Sequence, residues 1–220
     1  MLIIFDLDDT LINTSKYIKP AMLKRAFNSM LENGLELEDE KNAIKYFKEL
    51  SKNSDTFKIN LKKFIEYFRI DFKFFDIAYK TYISDFDDSL KILTFPYTKN
   101  VLNYLSKNHT LAIVTMGYEK FQQHKIEKAG IDRSLFCKIM VSEDGNKEIC
   151  YKSLLDENSF DFNECIVCGD KIENDLKPAK KLGFKTVLKK SFVEKKLKDE
   201  AVDFEITDLR EIIKIVENKV

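Results

Sequence analysis

The residues Leu2-Ile-Ile-Phe5 make a short, unbroken apolar run, and Asp6, Asp8 and Asp9 follow it at once. A run of this length with β-branched members reads as a strand buried on both faces, the kind found at the centre of a parallel sheet. Open α/β sheets bind ligands beyond the carboxyl ends of their strands, so the three carboxylates fall where chemistry is expected. Residues two apart on a strand project to one face, so Asp6 and Asp8 are expected to point the same way, with Thr10 behind them. Two like charges 4 Å apart repel by about 4 kcal/mol at an effective dielectric near 20, which favours a bound cation, a proton on one carboxylate, or both. A single acid after a strand is explained by capping of the next helix; the cluster Asp6-Leu-Asp8-Asp9-Thr10-Leu11 is not.

The pattern changes from Ser15 to Leu93, where apolar residues recur at helical spacing: Leu23, Phe27 and Met30, then Phe47 and Leu50, then Leu61, Phe64, Ile65 and Phe68, then Phe75, Ala78, Tyr79 and Tyr82. Asn33-Gly34 and Lys52-Asn-Ser-Asp55 read as turns between these helices. After Phe95-Pro96 the chain alternates helix and strand. Strands are expected at Thr110–Thr115, Ile139–Ser142, Cys165–Gly169 and Phe184–Leu188, and helices at Lys99–Lys107, Glu119–Ala129, Glu148–Glu157, Asn174–Leu182 and Leu209–Val216. That rhythm specifies a Rossmann-like α/β core, a parallel sheet in a three-layer αβα arrangement. The first strand belongs to it, so the helical block is an insertion: the core takes residues 1–14 and 94–220, and the all-helical domain residues 15–93.

Thirty-seven basic and thirty-seven acidic residues cancel, which argues against a nucleic-acid polymer or an anionic membrane as partner. No stretch approaches the roughly 18 apolar residues of a membrane span, and the apolar opening has neither basic leader nor cleavage site, so a cytoplasmic protein is expected. Cys165 and Cys168 spell C-x-x-C inside an apolar run, where a strand points residues three apart to opposite faces, so they read as core rather than as a redox or zinc pair. His109 and His124 read as structural or surface residues. Nine lysines and a single acid lie between Lys177 and Lys198, a local basic face expected to be solvated surface.

A second acid cluster, Gly169-Asp170-Lys-Ile-Glu173-Asn-Asp175, ends another expected strand. Oxygen ligands with little histidine suit magnesium. With this cluster included, the chain resembles the haloacid dehalogenase superfamily of phosphohydrolases at four stations in order. Asp6-Leu-Asp8-Asp9-Thr10 is similar to its first motif, Thr115-Met116-Gly117 to the second, a lysine to the third, and Gly169-Asp170 with Asp175 to the fourth. Lys147, just ahead of the helix Glu148–Glu157, is favoured for the third station over Lys152, which would face outward beside buried Tyr151, Leu154 and Leu155; the family's usual lysine-proline pair is absent.

The resemblance implies hydrolysis of a phosphate monoester with Mg2+. Asp6 would attack phosphorus and bind the metal, and Asp8 would protonate the leaving alcohol and then deprotonate water, kept protonated by its neighbour's charge and oriented by Thr10. Asp170 would be the other side-chain ligand, Asp8 would contribute its backbone carbonyl, and Asp175 would act through water or hydrogen bonds. Thr115, Met116, Gly117 and Lys147 would cradle the phosphate. The insertion resembles the family's helical cap, which selects the substrate. Thr115-Met-Gly117…Gln122…Lys125…Gly130-Ile131 looks like the stretch in members acting on nucleoside monophosphates or acidic sugar phosphates, although Phe121, Ile126 and Ala129 would equally make it an ordinary helix packed on the sheet. The expected partner is a small phosphorylated metabolite, and the chain a monomer or weak homodimer. A sugar-phosphate mutase shares these stations; a receiver domain and a catalytically silent phosphate-binding module are the readings from other classes.

Overall fold

The computed structural model describes residues 1–52, 57–83, 90–158, 160–190 and 199–218. The expected turn at Lys52–Asp55 and the lysines beyond Lys190 lie wholly or largely outside these residues. The chain divides into two compact units, one of Met1–Thr14 with Ile92–Val220 and one of Ser15–Lys91.

The first unit is built on six parallel strands in the order β3-β2-β1-β4-β5-β6. These are β1 (Leu2–Phe5), β2 (Thr110–Met116), β3 (Phe136–Ser142), β4 (Cys165–Gly169), β5 (Lys185–Lys189) and β6 (Phe204–Ile206). β1 is central: Leu2 stands beside Thr110 on one side and Cys165 on the other. Alternation divides the strands cleanly, because Leu2, Ile4, Ala112, Val114, Cys165 and Val167 enter one core with Tyr151 and Leu154 of α7 (Lys147–Asn158) and Ala179 of α8 (Lys177–Lys181). Cys165 belongs to that core and Cys168, three residues on, does not; both are buried free thiols. Helices α5 (Thr98–Leu105), α6 (Glu119–Lys128) and α9 (Glu211–Val216) complete this unit.

The second unit contains α1 (Thr14–Glu32), α2 (Glu40–Leu50), α3 (Phe57–Tyr67) and α4 (Lys73–Ile83). Its core is the apolar stripe of these helices, with Phe27, Phe47 and Phe64 in contact: the rings of Phe47 and Phe64 stack 4.5 Å apart and Phe27 meets Phe64 edge-on at 6.0 Å. No described helix is long and apolar enough to cross a membrane.

Three local expectations are corrected. The helix expected from Asn174 begins instead as a π-type turn at Ile172–Leu176 before α8. β6 was not expected; three residues are too few for a periodicity to show. The expected basic face lies at the surface at Lys177, Lys180, Lys181 and Lys185, with Lys177 meeting Glu173, Lys180 meeting Asp203 and Lys190 meeting Glu205 at 3.0 Å, but Lys189 is buried. The acids come from before and after the lysine-rich stretch, so its own sequence could not reveal the cancellation.

Candidate active site

The end of β1 and the end of β4 are neighbours at the point where the strand order reverses, the usual ligand crevice of such a sheet. The Asp6 amide donates to the Cys168 carbonyl at 2.9 Å, which seats Asp6 beside Gly169 and Asp170. The strand pattern then stops. Leu11 and Ile12 both donate to the Leu7 carbonyl at 3.0 Å, and Asp9 takes the left-handed φ of 60° that closes this turn. Past Asp8 the strand gives way to this turn, and the carboxylates of Asp6 and Asp8 each meet a lysine of their own.

Asp6 meets Lys147. Lys147, the first residue of α7, has its side chain 1% exposed and donates to Asp6 Oδ1 at 2.6 Å and to Asp175 Oδ1 at 2.7 Å. Its burial disfavours charge, yet the two carboxylates outweigh that and hold the ammonium protonated. Lys152 is exposed and pairs with Glu148 on its own helix at 2.8 Å. Asp175 is fixed from its other side by the Lys171 amide, 2.9 Å from Oδ2. The π-type turn swings this side chain back over the end of β4, so close that a Cβ on Gly169 would lie 2.5 Å from it.

Carboxylate oxygens of Asp6, Asp170 and Asp175 lie within 4.8 Å of one another. Burial raises the pKa of Asp6 to about 7, with Asp175 and Asp8 adding to the rise and Lys147 opposing it. Burial likewise raises Asp170 to about 8, reinforced by Asp6 and Asp175. Asp6 Oδ2 is buried with no hydrogen-bond partner. Crowded carboxylates held partly protonated, one with an unmatched buried oxygen, suit a hard divalent cation: an all-oxygen donor set fits magnesium, and the cation would relieve the repulsion. The Asp8 side chain is not part of this cluster.

Asp8 meets Lys125. Lys125 of α6 donates to both of its oxygens, at 2.7 and 2.8 Å, Gln122 Nε2 donates to Oδ2 at 3.0 Å, and the Thr14 hydroxyl donates to Oδ1. Burial alone would raise this carboxyl, but Lys125, Thr14 and Gln122 together bring it down to about 2. Before any cation binds, therefore, Lys125, Thr14 and Gln122 favour the ionised form of Asp8, while burial favours the protonated form of Asp6. Thr10 does not orient Asp8, since its hydroxyl is buried without a hydrogen-bond partner; Thr14 takes that place.

Thr115 is fully buried at the end of β2, with its hydroxyl 3.0 Å from Gln122 Nε2. Met116 ends β2, and its carbonyl also accepts from Gln122. Gly117 has φ 138°, and a Cβ there would stand 2.9 Å from Gln122 Nε2, so glycine leaves the space this amide uses. Gln122, Lys125 and Thr14 are not among the site residues expected above. Gln122 and Lys125 stood in the stretch that resembles members acting on nucleoside monophosphates or acidic sugar phosphates, but nothing in it tied them to Asp8.

The family model of haloacid dehalogenase-like hydrolases matches residues 3–189. A glyceraldehyde 3-phosphate phosphatase of Methanocaldococcus jannaschii is 29% identical over 239 residues, covering 98% of this chain and 96% of the relative. A haloacid dehalogenase-like hydrolase of Bacillus subtilis, solved bound to magnesium, superposes with a TM-score of 0.68 at 17% identity, covering 98% of this chain and 97% of that one. A phosphatase of the same superfamily from Thermococcus onnurineus gives 0.68 at 20% identity, with 98% and 97% covered.

Proposed function

The chain belongs to the haloacid dehalogenase-like hydrolase family, and we propose that it is a magnesium-dependent phosphatase that hydrolyses a small phosphate monoester through a phosphoaspartyl intermediate on Asp6. The observation that carries this reading is Asp6 itself. It is a buried carboxylate with one oxygen on Lys147 and the other unpartnered, in a cluster with Asp170 and Asp175.

In this reading Asp6 and Asp170 would hold magnesium, which would supply positive charge against the phosphate oxygens. Asp6 forms a bond to phosphorus as the ester P–O bond breaks; water then displaces Asp6 and releases phosphate. Lys147 neutralises charge beside the nucleophile, and its hold on Asp175 fits a supporting role for that residue rather than direct ligation. Thr115, Met116 and Gly117 line the place for the remaining phosphate oxygens, with the Thr115 hydroxyl as donor. Asp8 exchanges protons with the leaving alcohol and with the attacking water. The name of the Methanocaldococcus relative supports a three-carbon sugar phosphate as the substrate class.

Purified protein is tested for release of p-nitrophenol from p-nitrophenyl phosphate with magnesium, with EDTA, and as Asp6→Asn. Release that needs magnesium and disappears in Asp6→Asn is expected. Turnover that survives EDTA or the substitution contradicts the assignment of Asp6. Glyceraldehyde 3-phosphate is then expected to exceed p-nitrophenyl phosphate in kcat/KM; the reverse order removes the substrate class and leaves the chemistry.

A further inference from the structure

The Lys125–Asp8 pair is poorly explained as a source of stability. The Lys125 side chain is 5% exposed and gives up most of its hydration, while that of Asp8 is 26% exposed, so solvent screens the attraction and it repays that cost only in part. Gln122 compounds the cost, because its Oε1 is buried without a partner. Its Nε2 has only two hydrogens for three nearby acceptors: Asp8 Oδ2, Thr115 Oγ1 and the Met116 carbonyl. Two of those acceptors have no proton to give, which fixes the amide with its nitrogen toward Asp8. Among the described residues the hydrogen-bond partners of the Asp8 carboxylate, Lys125, Gln122 and Thr14, are all donors, and Lys125 touches both oxygens, so the plane of the carboxylate is set.

We infer that Lys125 and Gln122 are positioning residues that hold Asp8 as the acceptor for the hydrolytic half of the reaction. This rests on the phosphatase reading and specifies it. In that half, water attacks the phosphorus of phospho-Asp6, the bond from phosphorus to the Asp6 oxygen breaks, and the proton of the water passes to Asp8. The phosphate leaves, and Asp6 returns as a carboxylate. Formation of the intermediate from an ester with a good leaving group makes no such demand on Asp8, since p-nitrophenolate departs without a proton.

Lys125→Met keeps the length of the side chain and removes its charge. In rapid mixing of p-nitrophenyl phosphate with the magnesium-loaded variant, a stoichiometric burst of p-nitrophenol is expected, followed by a steady state slower by on the order of 100-fold, in the range of acid–base contributions. Acid quenching should then recover phosphate bound to the protein. Gln122→Met should show the same burst with a smaller slowing, and it carries the test if Lys125→Met lacks the wild-type melting transition. Magnesium binding by Lys125→Met, followed calorimetrically with the metal alone, should match wild type; a large loss would place the effect on the carboxylate cluster and overturn the inference. Equal loss of burst and steady state, or an unchanged steady state, also overturns it. A wild-type chain that releases no p-nitrophenol removes the phosphatase reading and this inference together, whereas wild-type turnover without a burst in either variant removes the inference alone.

Discussion

Gly169→Ala tests whether the carboxylate cluster is as tightly built as the distances imply. The new Cβ would lie 2.5 Å from Asp175 Cβ and Oδ2 and 2.6 Å from Cγ, about an ångström inside ordinary contact. The Asp175 side chain has little room to yield, since Lys147 holds Oδ1 at 2.7 Å and the Lys171 amide holds Oδ2 at 2.9 Å. Either the core strains, at about 1–3 kcal/mol, or hydrogen bonds to a charged group break, at about 1.5–3 kcal/mol each. A loss of roughly 2–5 kcal/mol is expected, a large share of the roughly 5–15 kcal/mol that holds a typical domain. At roughly 2–4 °C per kcal/mol for a chain of this size, the melting temperature should fall by about 4–20 °C. Gly34→Ala is the control, because no atom lies within 4 Å of its Cβ position and only the backbone φ of 89° resists the change. Melting followed by far-ultraviolet circular dichroism, with a calorimetric magnesium titration, reads both consequences. A Gly169→Ala chain that melts no lower than Gly34→Ala and binds magnesium like wild type would refute the packing argument.

Lys147→Ala should cripple turnover and lower stability by about 3–5 kcal/mol, as expected when one partner of a buried ion pair is removed, while Lys152→Ala should be close to neutral; activity and melting of the two variants check this, and the reverse order would move the lysine assignment. Asp6 and Asp170 keep protons in the folded state up to about pH 7 and 8, well above the ordinary carboxylate value. Their contribution is complete below about pH 4 and is lost as pH rises through 7 to 8, so in EDTA the melting temperature should fall across that window. Asp8, lowered to about 2, contributes stability lost only on acidification through that value, so it leaves the slope in that window unchanged. A melting temperature that climbs from pH 5 to 8 in EDTA would contradict the raised values. Magnesium should stabilise more at pH 8 than at pH 5, since the cluster must shed protons to bind it; equal shifts at both pH values would count against the cluster as its site.

Much of the core was legible because its signals are local. Leu2–Phe5 is apolar throughout and forms β1, and Thr110–Met116 and Cys165–Gly169 are strands whose ends carry Thr115 and Asp170. What stayed hidden depends on the chain meeting itself. The turn that ends the first strand closes on Asp9 in a left-handed φ, which an aspartate permits without announcing. Lys125 and Gln122 belong to the site through contacts with a residue more than a hundred positions away. The π-type turn that returns Asp175 to Gly169 differs from a helix by one residue per turn, a shift that apolar spacing over five residues cannot register.

The central place of β1 also sets the order of events during synthesis. Its partners are β2 and β4, with Leu2 paired to Thr110 and Cys165, so its edges have no neighbour until more than a hundred further residues have been made. At roughly 5–20 residues per second that is a wait of about 5–20 s, while the helical residues between can gather their own aromatic core. The apolar segment that later presents the nucleophile therefore spends its first seconds as an unpaired strand, the form most open to wrong association. Ribosome-bound chains halted before β2 should engage holdase chaperones through residues 2–5, and chains extended past β4 should release them.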